Sequence, residues 1–160
     1  MGIAIKWGVI LGVAVGALGF IFGGAGLQVS PVTAMGVVGI AFVINVVVVI
    51  LAVREARHTA TWAAQLLNGV VIGLVGAVII FIASWVMTSV VFPDYYQQLA
   101  DGYREFFQNA GMTEAQIAEA MRDVEQATPV SGALSGSTGT VLTSIVVAAI
   151  AGIFLRRKQA

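Results

Sequence analysis

Two pairs of carboxylates come nearest, by spacing, to a site. Asp101 and Glu105, and Glu119 and Asp123, stand four residues apart, so each pair shares one face of a helix. Such pairs could hold calcium, but no loop of alternating oxygen donors accompanies them. The plainer reading is a solvated helix face laced by Glu119–Arg122 and Arg122–Glu125 pairs. His58 could ligate the metal of a haem or chlorophyll, which requires burial. It follows Arg54 and Arg57, and that basic setting suits water or lipid headgroups. As the single histidine of a chain without cysteine, it cannot build a two-histidine site, and thiolate metal sites, disulfides and cysteine nucleophiles are excluded. No nucleophile–base pair can be assembled. No catalytic residue, metal or cofactor is expected.

The elements that would position any site are set by composition. Hydrophobic residues make up 59% of the 160 residues and charged residues 10%, whereas soluble domains carry about a quarter charged. A net charge of zero argues against a nucleic-acid partner, which needs a basic face to neutralise phosphates. The length suits one unit. Four apolar stretches reach the roughly 30 Å of a hydrocarbon core at about 1.5 Å per residue: 7–27, 32–53, 66–92 and 134–155. Backbone in lipid must satisfy itself, so these are helices. Ionisable residues inside spans mark proton relays and ion paths, and these four contain none. Asn45 is the mid-span amide, better suited to an interhelical hydrogen bond than to a substrate.

Charge orients the spans. With four, both termini share a side, which holds Lys6, Arg54, Arg57, Arg156, Arg157 and Lys158 against Glu55, a net of +5. The opposite side holds Arg104 and Arg122 against Asp94, Asp101, Glu105, Glu114, Glu119, Asp123 and Glu125, a net of −5. Basic residues beside span ends mark the cytoplasmic face. The expectation is a multi-pass protein of a bacterial inner membrane with cytoplasmic termini. The first apolar run exceeds a signal-peptide core, and Lys6 occupies the place where a myristoylation motif wants Ser or Thr. The basic rim formed by Arg54, Arg57 and Arg156–Lys158 suits anionic lipid and ordinary topology control equally.

Small residues recur at helical spacing. Gly8, Gly12, Gly16, Gly19 and Gly23 line one face of the first span, and Gly69, Gly73 and Gly76 line one face of the third. Ser135, Gly139 and Thr143, with Gly136, Thr140 and Ser144 beside them, form a strip on the fourth. Lipid supplies no hydrophobic drive between helices, so close backbone approach must hold them together. Packing within the bundle is the first reading; docking of a partner on the first helix's stripe is the sharper one. A phosphate-cradling loop lacks its strand and its basic residue.

Residues 93–131 read as an amphipathic two-helix hairpin between the third and fourth spans. Pro93 is placed to open its first helix. Tyr95, Tyr96, Leu99, Tyr103, Phe106 and Phe107 fall on one face, and Asn109 and Gly111 supply a stop. Thr113 and Gln116 form a capping box, with Met112 and Ile117 around it. Ile117, Met121 and Val124 line the second helix until Thr128-Pro129. The aromatic face is expected to cap the bundle, a docking role for it being the alternative, and the acidic face is free for a partner in water.

The run from Arg54–Arg57 (REAR), through Gln65–Gly69 (QLLNG), Phe92–Tyr95 (FPDY) and Gly111–Ile117 (GMTEAQI), to the basic end resembles a family of small four-span bacterial membrane proteins with an extracytoplasmic helical hairpin, a domain of unknown function. The resemblance covers about 37–158 and rests on order and spacing. It implies a fold and a membrane location and carries no catalytic residue. The glycine-dense first span is the part least expected from it.

The fold class expected is therefore an all-α membrane protein of four transmembrane helices with that hairpin. The function expected is non-catalytic: an accessory or scaffold subunit whose partners are membrane lipid and other membrane-protein subunits, with respiratory or photosynthetic complexes as hosts. The alternative is a small transporter or channel working as an oligomer, whose lining would draw on Asn45, Ser84, Thr88 and Thr143.

Overall fold

The computed structural model describes residues 2–27, 30–56 and 61–155. Arg57, His58, Arg156, Arg157 and Lys158 lie outside the described residues. Among the described residues six α-helices follow one another: α1 (Gly2–Gly24), α2 (Pro31–Ala56), α3 (Trp62–Val86), α4 (Tyr95–Asn109), α5 (Glu114–Glu125) and α6 (Pro129–Leu155). A π-helical turn, Met87–Val91, extends α3. Four helices, α1, α2, α3 and α6, are long and apolar enough to cross a membrane. The chain is thus an all-α membrane-type protein, with α4 and α5 forming a hairpin between the third and fourth spanning helices.

The helix ends follow from local chemistry. α1 and α4 both close on a left-handed glycine, Gly26 (φ 67°) and Gly111 (φ 76°). In each, the next amide reaches back five residues, Leu27 to Phe22 and Met112 to Phe107, which satisfies carbonyls that the helix leaves open. Thr113 accepts from the Gln116 amide while the Gln116 side chain accepts from the Thr113 amide, completing the box that opens α5. Pro93 does not open α4. It sits in a turn closed by the Tyr95 amide on the Phe92 carbonyl, with Asp94 at φ −86°, ψ 6°, the geometry that favours proline in second place. Thr128-Pro129 ends α5 and also starts α6 five residues before the apolar run. Thr128 Oγ1 accepts from the Ser131 amide at 3.1 Å and Ser131 Oγ from the Thr128 amide at 2.8 Å, a reciprocal cap with proline at the first helical position.

The spanning helices stand in a ring, α1–α2–α6–α3, with α3 pressed against both α1 and α6. α2 and α3, consecutive in the chain, lie across the ring and touch little. The bundle is inverted relative to a soluble one. Large side chains such as Ile21, Met35, Leu74 and Phe154 point outward, while Gly8, Gly12, Gly69 and Ser144 are buried. Lipid solvates the outer groups as well as a core would, so small residues on the inside let dispersion act at short range.

The core lies toward the end of the bundle that carries the termini. Leu11, Val49, Val53, Ile72 and Ala148 are fully buried there, with Trp7 and Leu155 packed on them. Lys6 Nζ donates to Glu55 at 2.7 Å and Trp7 Nε1 to the same carboxylate at 2.7 Å, tying α1 to the end of α2. Gln65 Nε2 donates to the Val53 carbonyl at 3.2 Å, one of the four that the end of α2 leaves open. Toward the hairpin α2 and α6 separate.

Candidate functional site

Beneath the hairpin lies a half-open cavity of about 600 Å³. Its floor is at Asn45 and Thr143, and its roof is Tyr95, Tyr96 and Leu99 of α4. α1 contributes Val15 and Leu18, α2 contributes Val37, Ala41 and Phe42, and α6 contributes Gly132, Gly136 and Gly139. Among the described residues no charged side chain lines it. From Gly132 to Thr143 it runs about 16 Å at the helical rise.

Four of the polar wall residues, Asn45, Thr88, Ser135 and Thr140, have a hydrogen engaged by their own helix or by the bundle. Thr88 Oγ1 donates to the Ser84 carbonyl at 2.9 Å, Ser135 Oγ to Ser131 at 2.9 Å and Thr140 Oγ1 to Gly136 at 3.0 Å. Asn45, 3% exposed, donates through Nδ2 to the Thr140 carbonyl at 3.2 Å and accepts from Ser144 Oγ at 3.1 Å. That pair of bonds joins α2 to α6 and closes the seam under the cavity. The amide is therefore a structural clamp with neither end turned to a ligand.

The tyrosine hydroxyls differ. Tyr95 and Tyr96 meet edge to face, centroids 5.0 Å apart. Burial pushes the Tyr95 phenol up to about 12, with the neighbouring tyrosines adding to it. Burial also raises Tyr96, and a hydrogen bond with Thr88 offsets part of that rise. Both rings are neutral donors at any physiological pH. Tyr96 lies so close over Gly132 that a Cβ on that glycine would overlap the phenol oxygen. Gly132 thus seats the roof.

The glycine stripes are engaged within the bundle. A Cβ at Gly8 would stand 2.7 Å from Val75 Cβ, and one at Gly12 2.6 Å from Ile79 Cβ. Gly16 faces Ala83 at 3.1 Å, Gly23 faces Met87 Sδ at 3.0 Å, and Gly19 faces the same sulfur at 3.9 Å. The stripe of α1 is therefore covered by α3 and its π turn. The α3 glycines face the seam between α1 and α6: Gly69 and Gly73 meet Ala148, Ser144 and Val141, while Gly76 meets Leu11. The strip anticipated on α6 divides. Ser144 packs, together with Ala133, Ser137, Ala148 and Gly152. Gly136 and Gly139 have no atom within 4 Å of an added Cβ and face the cavity. The reason is that Ala133, Ser137, Ser144, Ala148 and Gly152 recur at helical spacing on the packed face of α6, whereas Gly136 and Gly139 lie on the adjacent face.

The family described as "Protein of unknown function (DUF4199)" matches residues 6–157. The chain belongs to this family. The match begins at the first span, so the glycine-dense helix that least fitted the resemblance is part of the family's extent. No curated protein and no solved structure matches the chain.

In this DUF4199 protein the hairpin's aromatic face divides between two tasks. Tyr95, Tyr96 and Leu99 cover the bundle. Tyr103 and Phe107 stack edge to face at 6.0 Å, and Phe106 meets Phe107 at 5.7 Å, within the hairpin formed with Ile117 and Met121 of α5, both buried. Phe106 remains 41% exposed. Glu125 pairs with Arg104 across the hairpin at 2.5 Å, in place of the Arg122 pairing anticipated along α5. Asp101, Glu105, Glu119 and Asp123 are exposed. Among the described residues no group of three His, Cys, Asp or Glu comes together. Arg54 is exposed at the end of α2.

Sequence reasoning missed Gly132, Ser137 and Trp62. Ser137 Oγ donates to the Ala77 carbonyl at 3.1 Å, and Trp62 Nε1 to Ala149 at 3.2 Å, both between α3 and α6. The signal for Ser137 was its seven-residue step to Ser144. Gly132 had none, because its partner is a ring from another helix.

Proposed function

We propose that this protein is a non-catalytic accessory subunit that packs within a larger assembly of a bacterial inner membrane, with cytoplasmic termini and the hairpin outside. The observation that carries this reading is the use made of the intramembrane polar groups. Asn45, Ser137 and Ser144 join the chain's own helices. The cavity offers hydrogen bonding by phenols and hydroxyls, and no group with the acidity or nucleophilicity that a reaction would need. With the α1 stripe covered by α3, the surface left for a partner in water is the acidic side of the hairpin, where Asp101, Glu105, Glu119 and Asp123 stand exposed. Purification in mild detergent followed by mass spectrometry tests the reading. Stoichiometric recovery with other membrane subunits supports it, and a lone monomer or homo-oligomer refutes it. Cysteine substitution at Ala118 tests the topology: labelling by an impermeant reagent on intact cells is expected, and labelling only after lysis contradicts it.

A second reading has one observation behind it. Asn45, Ser84, Thr88 and Thr143, the four residues a transport path would draw on, line the same cavity. That cavity stops above the sealed Leu11–Val49–Ile72 core, so transport requires this core to open. Solute flux in liposomes that is abolished by Asn45→Leu and Thr143→Val favours the transporter reading; flux that survives both rules out this lining.

A further inference from the structure

We propose that the cavity is a binding site for an uncharged lipid of the hairpin-side leaflet, its hydroxyl or carbonyl oxygen under Tyr95 and Tyr96 and its chain lying between α2 and α6. The inference is independent of the accessory role.

Four observations converge on this occupant. The first is the opening. Val38 and Phe42 line the cavity and are also 69% and 56% exposed, and Gly136 and Gly139 on the facing helix are open. Entry is therefore sideways, from the hydrocarbon. The second is length. The roughly 16 Å from roof to floor is about half of a 30 Å hydrocarbon core, one leaflet deep. The third is where hydrogens are available. Along the walls Thr88, Ser135 and Thr140 donate to their own helices, and apart from the Ser84 and Thr143 hydroxyls the remaining wall toward α1, α2 and α3 is apolar enough for a chain. At the roof the Tyr95 hydroxyl has no hydrogen-bond partner among the described residues, so it is free to donate to an accepting oxygen. The fourth is charge. Among the described residues no charged group lines the cavity, so a phosphate or carboxylate inside would be desolvated without a partner there. The segment above carries seven carboxylates and two arginines, which repels an anionic headgroup further. A volume near 600 Å³ falls within the usual 300–1,000 Å³ of small-molecule sites.

The test uses the full chain in phosphatidylcholine nanodiscs. The probe is monooleoylglycerol with a diazirine in its chain, and the comparison probe is lysophosphatidic acid with the same chain. Photolabelling by the glycerol probe is expected at 37–45 of α2 and 132–143 of α6. It should exceed the phosphate probe by about tenfold, the factor that about 1.4 kcal/mol represents. Gly139→Leu, which fills the opening, should abolish it, and Tyr95→Phe should weaken it. Gly36→Leu lies on α2 outside the cavity and should leave it unchanged. Helix content by circular dichroism verifies that each variant is folded. Equal labelling by both probes, or labelling spread around the bundle as for boundary lipid, overturns the proposal. So does labelling retained by folded Gly139→Leu, or Gly139 shielded by a co-purified protein helix.

Discussion

Gly69→Ala is the most informative single change to the bundle. A Cβ at this position would overlap Ala148 Cβ and stand 2.9 Å from the Ser144 carbonyl oxygen. Carbon atoms pack at about 3.5–4.0 Å, and neither neighbour is the free end of a flexible chain, so α3 and α6 must separate along their shared seam. Overpacking of this kind costs about 1–3 kcal/mol. Alanine recovers about 1 kcal/mol through its helix preference, so a net loss of up to about 2 kcal/mol is expected. Gly36→Ala gives the same chemical change with nothing within 4 Å. It should show the helix preference alone, a gain of up to about 1 kcal/mol. The assay is reversible unfolding in mixed detergent micelles, followed by far-ultraviolet circular dichroism. Ala148→Gly removes one of the two obstructing atoms and leaves the Ser144 carbonyl. In the Gly69→Ala background it should therefore recover part of the loss, a coupling of about 0.5 kcal/mol or more in a double-mutant cycle. Equal effects of Gly69→Ala and Gly36→Ala, or a coupling of zero, would refute the claim that backbone proximity holds α3 to α6.

Asn45→Leu should destabilise the bundle by about 1–2 kcal/mol, because Ser144 is left buried without its acceptor; adding Ser144→Ala should return part of that loss in the same unfolding assay. Thr113→Ala should cost about 1 kcal/mol at the start of α5, visible as faster hydrogen exchange of the Gln116 amide, whereas Arg104→Gln should change global stability by less than about 1 kcal/mol because the pair is half exposed. Tyr95 is raised from 10 to about 12. The stability that follows from its neutral burial is complete below pH 10 and is lost as pH rises through 12, and Tyr95→Phe should remove the phenolate absorbance change near pH 12.

The spans and the hairpin were legible because lipid imposes one rule on the sequence: long uncharged runs must be helices, and residues 93–131 could not be one. The capping box at Thr113 and the glycine stop at Gly111 were legible for the same reason, since each is written in residues three or four apart. Pro93 was misplaced because a proline fits both a turn and a first helical position, and the choice lies in Phe92 and Tyr95, which the π turn of α3 positions. The cavity was not legible. It is made by α2, α4 and α6 meeting over Gly132, and no local spacing encodes that meeting. The α6 strip was seen, but its division into a packed face and an open face depends on which side of α6 meets α3, as at Ser137 and Ser144.

The two halves of the bundle pack by opposite means, and the difference lies in α2. Toward the termini α2 offers Val48, Val49, Ala52 and Val53 to Leu11, Ile72 and Ala148, branched side chains against small ones, which interdigitate. Toward the hairpin its inner residues Val37 and Ala41 face Gly136 and Gly139, small against absent. Two such surfaces fill the space between them only if their backbones touch. They are prevented from touching because Asn45 fixes the spacing below through Thr140 and Ser144, and α4 fixes it above through Tyr96 over Gly132. The cavity is thus the outcome of two constraints at its ends rather than of loose packing along its walls. Relaxing either constraint should let α2 close on α6: Asn45→Leu from below, or Gly132→Ala, which lifts Tyr96, from above. Cysteines at Ala41 and Gly136 report the spacing, with faster disulfide formation expected in both variants. An unchanged rate in both would mean that the walls hold themselves apart.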